Sequence, residues 1–383
     1  MFHAARRVHS GLTILGCFGG GSLYGWSGFM PAVRSHFSAG NTTASIVFSL
    51  ALISFTLGVL LGPILLARVY SRYRLTLLAG FAALFLCIAG ASVGFAGFVV
   101  SYGLCFGFAS GALYNHAISE ASASGSATLL VPVSVAAFGL GGAVFGPVQV
   151  WLTALDWALW SLAPALVCLA LVAIAALVVR PPVVVERKVE QRGRTVIKPV
   201  RTIVILGIIF ATGSCSGLIV LGFASQILPS EAVSVGLASL TIFLAAVGNT
   251  LGRLSATLSA GKFGPARGIA GALVLSMIAL CGLIVSTATS VIGAMLFVVA
   301  FAYGQLAATM PLMVREQVNE SSFSGAFGWV FIGWGVAGLV GPWSAGWFLD
   351  VTGTVRFSLA ICIALCALCL CLVLKFVPAT KAE

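Results

Sequence analysis

The chain has 383 residues, of which 60% are hydrophobic and only 8% are charged. Soluble domains carry about 25% charged residues, so a water-soluble enzyme or binding module is excluded and an integral membrane protein is expected. The formal net charge of +11 suggests a polyanionic partner, but the placement of the charges reports membrane orientation and argues against nucleic acid.

Twelve apolar segments are expected, at 11–33, 43–67, 75–94, 96–119, 128–152, 156–179, 202–227, 232–260, 268–288, 290–314, 325–349 and 355–377. Each is near the ~20 residues that cross a bilayer as a helix. The first follows Arg6 and Arg7 as a signal peptide would. It is too long for an h-region, however, and ends at Pro31-Ala-Val-Arg34 with no small-residue cleavage site, so it reads as the first spanning helix. Its "GSLYGWSGF" carries Tyr24 and Trp26, aromatics that suit either a pocket wall or an interface anchor.

The fourth segment ends "GALYNHAISE", with Tyr114, Asn115, His116 and Glu120. His116 and Glu120 are four apart and share a helical face. Histidine titrates near neutral pH, which makes His116, with Glu120, a candidate for proton coupling. The simpler readings are a hydrogen-bonded structural histidine and an interfacial carboxylate.

The only long polar stretch, "RPPVVVERKVEQRGRTVIKPVR" at 180–201, fits a cytoplasmic linker. It divides the chain into an N-terminal six-helix bundle (1–179) and a C-terminal one (202–383). The halves echo one another: "GVLLGP" at Gly58–Pro63 matches "GNTLGR" at Gly248–Arg253, and "FGLGGAVFGP" at Phe138–Pro147 matches "WGVAGLVGP" at Trp334–Pro342. Paired six-helix halves are the pattern of transporters that rock around a central site. In this alignment Arg253 stands opposite Pro63, a functional asymmetry. The 45 glycines, many at small-xxx-small spacing, allow close helix packing.

With both termini and the linker in the cytoplasm, only Arg34 and Arg356 of the 20 Lys and Arg fall on the outer side, and Arg253 lies within a span. That is the positive-inside asymmetry. All ten Cys fall in apolar segments with no His or carboxylate beside them, so they read as packing residues; neither disulfides nor a metal site is expected.

Arg253 is the strongest signal. It follows the apolar stretch Ala238–Leu251 and, counted back from Lys262, lies about 13 Å into the membrane at ~1.5 Å per residue. An ionisable side chain at that depth is costly and marks a functional site by default. Its own helix offers no acid, since Glu231 is at the far end. The guanidinium fork suits a carboxylate held bidentately, which points to a small organic anion as substrate. The alternative is a structural arginine bonded to backbone carbonyls or drawn to the interface. Asn249, one turn earlier, is placed to orient Arg253 or touch the ligand, and Tyr303 in "AYGQLAATMP" is a further pocket candidate. There is no Walker motif, dinucleotide fingerprint, catalytic carboxylate pair or His/Cys cluster. No enzyme activity, cofactor or ATP is expected, and transport is driven by a gradient.

Together "LYGWSGFMPAVRSHF", "FGLGGAVFGP", "GNTLGR", "AYGQLAATMPLMVREQV" and "FGWVFIGWGVAGLVGPWSAGWFLDVTG" resemble the major facilitator superfamily through nearly the whole chain. Within it they are similar to the monocarboxylate transporter and oxalate/formate antiporter branch. The resemblance implies an all-α membrane protein of twelve helices in two pseudo-symmetric bundles. The branch's eighth-helix arginine, which binds substrate carboxylate, falls on Arg253. Some bacterial relatives place Asn, His and Tyr of the fourth helix near the substrate, which implicates Tyr114, Asn115 and His116. Three departures stand out. The eleventh-helix lysine of oxalate exchangers falls on Trp334, and a site with one cation fits a monoanion. The acid and lysine of animal carriers fall on Asn249 and Gly28. The acidic signature of the loop between helices two and three is degraded in "ARVYSRYR" and in its copy "SAGKFGPAR".

The expected function is secondary active transport of a small monocarboxylate resembling lactate or pyruvate, proton-coupled, by alternating access. A carboxylate exchanger, an efflux carrier for an amphipathic metabolite and a non-transporting receptor are the alternatives. Composition and the lack of targeting signals suggest a bacterial inner membrane, with both termini cytoplasmic.

Overall fold

The computed structural model describes residues 2–122, 127–179, 200–229, 233–318 and 320–376. Most of the expected linker, and Glu231, lie outside them. The first crossing is composite: helix α1 (Phe2–Gly20), a 3-10 stretch at Gly21–Gly25 and helix α2 (Trp26–Phe37). This corrects the expected uniform segment at 11–33. Its polar ends hide the helix from a hydropathy reading, and glycines at its centre permit the tight 3-10 turn. Gly21 lies against the carbonyl of Phe138, where any Cβ would collide.

Five further crossing helices complete the first half: α3 (Asn41–Leu66), α4 (Ser71–Gly90), α5 (Phe95–Ser122, π-helical over Val99–Phe106), α6 (Ala127–Ala154) and α7 (Ala163–Val178, led by a 3-10 turn). The second half holds α8 (Val200–Phe223), α9 (Val235–Phe263), α10 (Pro265–Val285), α11 (Thr289–Gln317), α12 (Glu320–Thr352) and α13 (Arg356–Phe376). Eleven helices among the described residues are long and apolar enough to span a bilayer, and the composite N-terminal crossing makes the twelfth. The protein is thus an all-α membrane protein.

A tight helix crossing recurs in each half. In the first, Gly58 of α3 lies on the carbonyl of Phe108 and Gly111 of α5 on that of Phe55. In the second, Gly252 of α9 lies on the carbonyl of Phe301 and Gly304 of α11 on that of Asn249. The sequences agree with the geometry: "TLGVL" at 56–60 faces "FASGAL" at 108–113, and "TLGRL" at 250–254 faces "FAYGQL" at 301–306. Gly58 therefore corresponds to Gly252, and the counterpart of Arg253 is Val59. The sequence alignment with Pro63 is one helical turn out. Small residues repeating every four positions let the motif slide by a turn without losing its glycines, and only the crossing point breaks the tie.

The halves pack along α3 with α12 and α6 with α9. Two hydrogen-bonded clasps join them on the face opposite the α7–α8 junction, which we term the far face; the junction side is the linker face. At the end of α12, Asp350 Oδ1 accepts from the Asn41 backbone N–H (3.0 Å) and Nδ2 (2.7 Å). Its Oδ2 accepts from the Thr42 backbone N–H (2.7 Å) and Oγ1 (2.6 Å). A carboxylate of one half thus caps the N-terminus of a helix in the other, where a negative charge is favoured. The second clasp binds Ser27 of α2 to Ser225 and Gln226 just past α8: the Ser225 N–H donates to Ser27 Oγ (2.9 Å), and Ser225 Oγ and Gln226 Nε2 donate to the Ser27 carbonyl (2.9 and 3.2 Å).

Loss of the Asp350 cap is expected to weaken far-face closure by about 1–2 kcal/mol, roughly 5- to 30-fold in the ratio of closed to open forms. Spin labels at His36 and Thr354 should report a longer-distance population in Asp350→Ala. An unchanged distance distribution would remove Asp350 from the gate.

Candidate functional site

Arg253 sits one residue past the glycine at which α9 touches α11, and only 6% of its surface is exposed. Its Nε donates to Asn249 Oδ1 at 3.1 Å, one helical turn back. Nη1 donates to the Tyr114 hydroxyl at 3.4 Å and Nη2 to the Tyr24 hydroxyl at 3.3 Å. The guanidinium carbon stands 6.0 Å over the centre of the Tyr24 ring, within cation–π range. The Tyr24 hydroxyl lies 3.2 Å from that of Tyr303, which accepts from Trp334 Nε1 at 2.8 Å. A polar chain therefore runs Trp334, Tyr303, Tyr24, Arg253 through an apolar interior. Tyr303 is the middle residue of the 29-residue α11, which sets the chain at mid-depth.

Tyr24 and Tyr114 come from the first half; Asn249, Arg253, Tyr303 and Trp334 come from the second. The site is thus shared across the interface between bundles. The hydrogen-bond partners of Arg253 are an amide and two phenols, all neutral, and no carboxylate bonds to it among the described residues. These bonds use three of its five N–H donors, leaving one on each terminal nitrogen. The phenol bonds are longer than the usual 2.7–3.2 Å. Asn249 Nδ2 is buried without a partner among the described residues, a second donor that a ligand would satisfy.

Six of the residues singled out from sequence meet here: Arg253, Asn249, Tyr24, Tyr114, Tyr303 and Trp334. Asn115, His116 and Glu120 do not. Asn115 Nδ2 donates to the Val59 carbonyl at 3.0 Å and its Oδ1 accepts from Ser119 Oγ at 3.1 Å, which ties α5 to α3. His116 is buried, its Nε2 without a hydrogen-bond partner among the described residues, near His9 and Arg74. Glu120 is half-buried.

By sequence His116 is the only histidine in a membrane span, and the structure adds a second buried one outside the expected apolar segments. His9 is also buried, in α1, because that helix begins at Phe2. The signal was present: His9, Thr13 and Cys17 are spaced by four and all are buried. Sequence reasoning also missed two rings. Phe55 lies 5.5 Å from Tyr114, 5.2 Å from Phe138 and 5.4 Å from Trp334, while Phe138 lies 5.0 Å from Tyr24. They pack an apolar wall against the tyrosines and exclude water, which strengthens any ion pair formed there. Phe55 is the repeat counterpart of Asn249, so the corrected register would have found it.

No protein-family model matches the chain, and no curated protein matches it. Solved structures do. A D-xylose-proton symporter matches with a TM-score of 0.78 and 18% identity over 100% of both chains. The xylose transporter XylE from E. coli, in an inward-open conformation, matches at 0.78 and 16% over 99% of this chain and 98% of that one. The nucleoside transporter NupG, in a singly substituted form, matches at 0.74 and 13% over 96% and 99%. At these identities the likeness establishes the architecture: two six-helix bundles in the major facilitator fold.

Proposed function

We propose that the protein is a secondary active transporter of a small monocarboxylate, with Arg253 receiving the carboxylate. One observation carries this reading: a buried guanidinium at the interface between the halves, held by neutral partners, with one N–H on each terminal nitrogen unspent. A guanidinium so buried costs the fold a desolvated charge. A monoanion neutralises it, and a single cation at the site favours one carboxylate over two.

The neighbours named for xylose and nucleosides motivate a second reading, a neutral polyhydroxylated substrate stacked on the aromatic wall. The unpaired cation weighs against it, because a neutral ligand leaves the charge uncompensated. Tyr24 and Tyr114 reach Arg253 from the opposite half through long, weak bonds. Exchange of those bonds for the carboxylate would free the halves to rock, which is how loading would couple to reorientation. The linker face is assigned to the cytoplasm from its basic residues, and the membrane to a bacterial inner membrane from composition.

Purified protein in liposomes, given radiolabelled lactate, pyruvate, oxalate, xylose and uridine under an inward proton gradient, tests this directly. Lactate or pyruvate uptake should exceed that of xylose and uridine. Uptake of xylose or uridine without any carboxylate would overturn the proposal, and failure of all five would favour a receptor.

Proton coupling is assigned to His116, which is buried with a nitrogen unpartnered among the described residues. His116→Gln should lose most of the stimulation by the proton gradient while retaining counterflow at equal pH. Full gradient-driven accumulation by that variant would remove His116 from the mechanism.

A further inference from the structure

A cavity of about 1190 Å³ lies at the far face. Both halves line it, with Ser27, Gly28 and Arg34 from α2, Gln226 beyond α8, Thr287 before α11 and Arg356 at the start of α13. Arg34 and Arg356 are the same two cations that break the basic asymmetry of the sequence, and the fold brings both to one cavity. Among the described lining residues there is no Asp or Glu. Both arginine side chains are exposed, and no described carboxylate forms an ion pair with either. More helices end at the space (α2, α6, α8, α10 and α12) than begin there (α9, α11 and α13), so the net helix dipole opposes a positive field and the two fixed charges alone supply it.

The floor of the cavity matters as much as its walls. Ser27 and Gly28 are within about one turn of Tyr24, whose hydroxyl accepts from Arg253. The bonds of Ser27 to Ser225 and Gln226, and the packing of Gly28 against Ile242 of α9 and the carbonyl of Gly146 of α6, lie between the cavity and the buried arginine. The cavity thus stands over the buried arginine, with one closed layer between.

We propose that this vestibule is a collecting site for small organic anions, in which Arg34 and Arg356 concentrate them above the gate that leads to Arg253. A cleft lined by one sign of charge focuses its field and raises the local concentration of counter-ions. The effect decays over a Debye length of about 8 Å at physiological salt, a distance comparable to the dimensions of the cavity. The identity of the anion finally carried rests on the monocarboxylate reading; the charge selectivity of the vestibule does not.

The test uses full-length protein in liposomes with Thr287→Cys in the cavity wall. Its rates of modification by an anionic sulfonatoethyl and a cationic trimethylammonioethyl methanethiosulfonate are compared, with the Thr287 protein supplying the background from native cysteines. The anionic reagent should be favoured relative to its reaction with a free thiol. In Arg34→Gln plus Arg356→Gln that preference should fall about tenfold at low salt, and roughly 0.5 M salt should produce a similar fall in the parent. Arg34→Lys plus Arg356→Lys should retain the preference, which separates charge from folding. An unchanged ratio in the glutamine variant would overturn the proposal, since the guanidiniums would then be spent on lipid phosphates or bulk water. A shifted ratio in a protein that transports no carboxylate would retain the vestibule and discard the substrate. Carboxylate transport with an unshifted ratio would do the reverse.

Discussion

Arg253→Ala is expected to abolish carboxylate transport, and Arg253→Lys to raise the apparent KM by about 10- to 150-fold. The lysine variant keeps the charge but presents no fork, so one charge-assisted hydrogen bond is lost, worth roughly 1.5–3 kcal/mol. It also loses the Nε bond to Asn249 that fixes the plane of the guanidinium. The alanine variant leaves Asn249, Tyr24 and Tyr114 without their shared donor, but it removes a desolvated cation, and these effects oppose each other in stability. Insertion should be preserved or eased. A purely structural arginine makes the opposite forecast: the alanine variant would unfold at markedly lower temperature while any folded fraction bound substrate normally. Transport kinetics and thermal unfolding of the same preparations therefore separate the two, and normal carboxylate affinity in Arg253→Ala would refute the assigned role.

The second large effect concerns the crossing that carries this arginine. Gly252→Ala adds one methyl group where a Cβ collides with the carbonyl of Phe301. Backbone cannot step aside as a side chain can, so α9 and α11 must separate, at a cost of about 1–3 kcal/mol. Separation also shifts Arg253 on α9 relative to Tyr303 on α11, to which it is joined through the Tyr24 hydroxyl, so transport should fall with stability. Gly271→Ala in α10 is the matched control. Nothing lies within 4 Å of its added Cβ, and alanine is the better helix former by about 1 kcal/mol, so that variant should be neutral or more stable. Equal thermal stability of the two variants would show that the crossing does not limit the fold.

The number of helices, the two bundles and the burial of Arg253 within a span were legible in the sequence because each follows from a strong local signal. About twenty apolar residues read as a span, and a lone cation after such a run reads as a site. What could not be read depended on distance relations between helices. The repeat register is ambiguous because glycines recur every turn, so the sequence pairs Arg253 with Pro63 in place of Val59 and passes over Phe55. Asn115 and Tyr114 are adjacent in sequence, yet a helical step of about 100° sends one to the α3 backbone and the other to the guanidinium. His9 escapes for a simpler reason: it precedes the apolar run and lies in a helix whose first turns are polar.

The neutral company of Arg253 has an electrical consequence. A mid-depth cation with no fixed counter-charge bonded to it among the described residues lies within the potential drop across the membrane, where a full elementary charge is worth about 2.3 kcal/mol per 100 mV. In a rocking carrier, swapping one bound monoanion for another keeps the site paired throughout and couples little to that field. Net uptake instead requires a return step with the guanidinium bare, and that step moves positive charge through part of the drop. The same molecule should thus exchange its substrate at a rate nearly independent of membrane potential, yet accumulate it at a rate the potential controls.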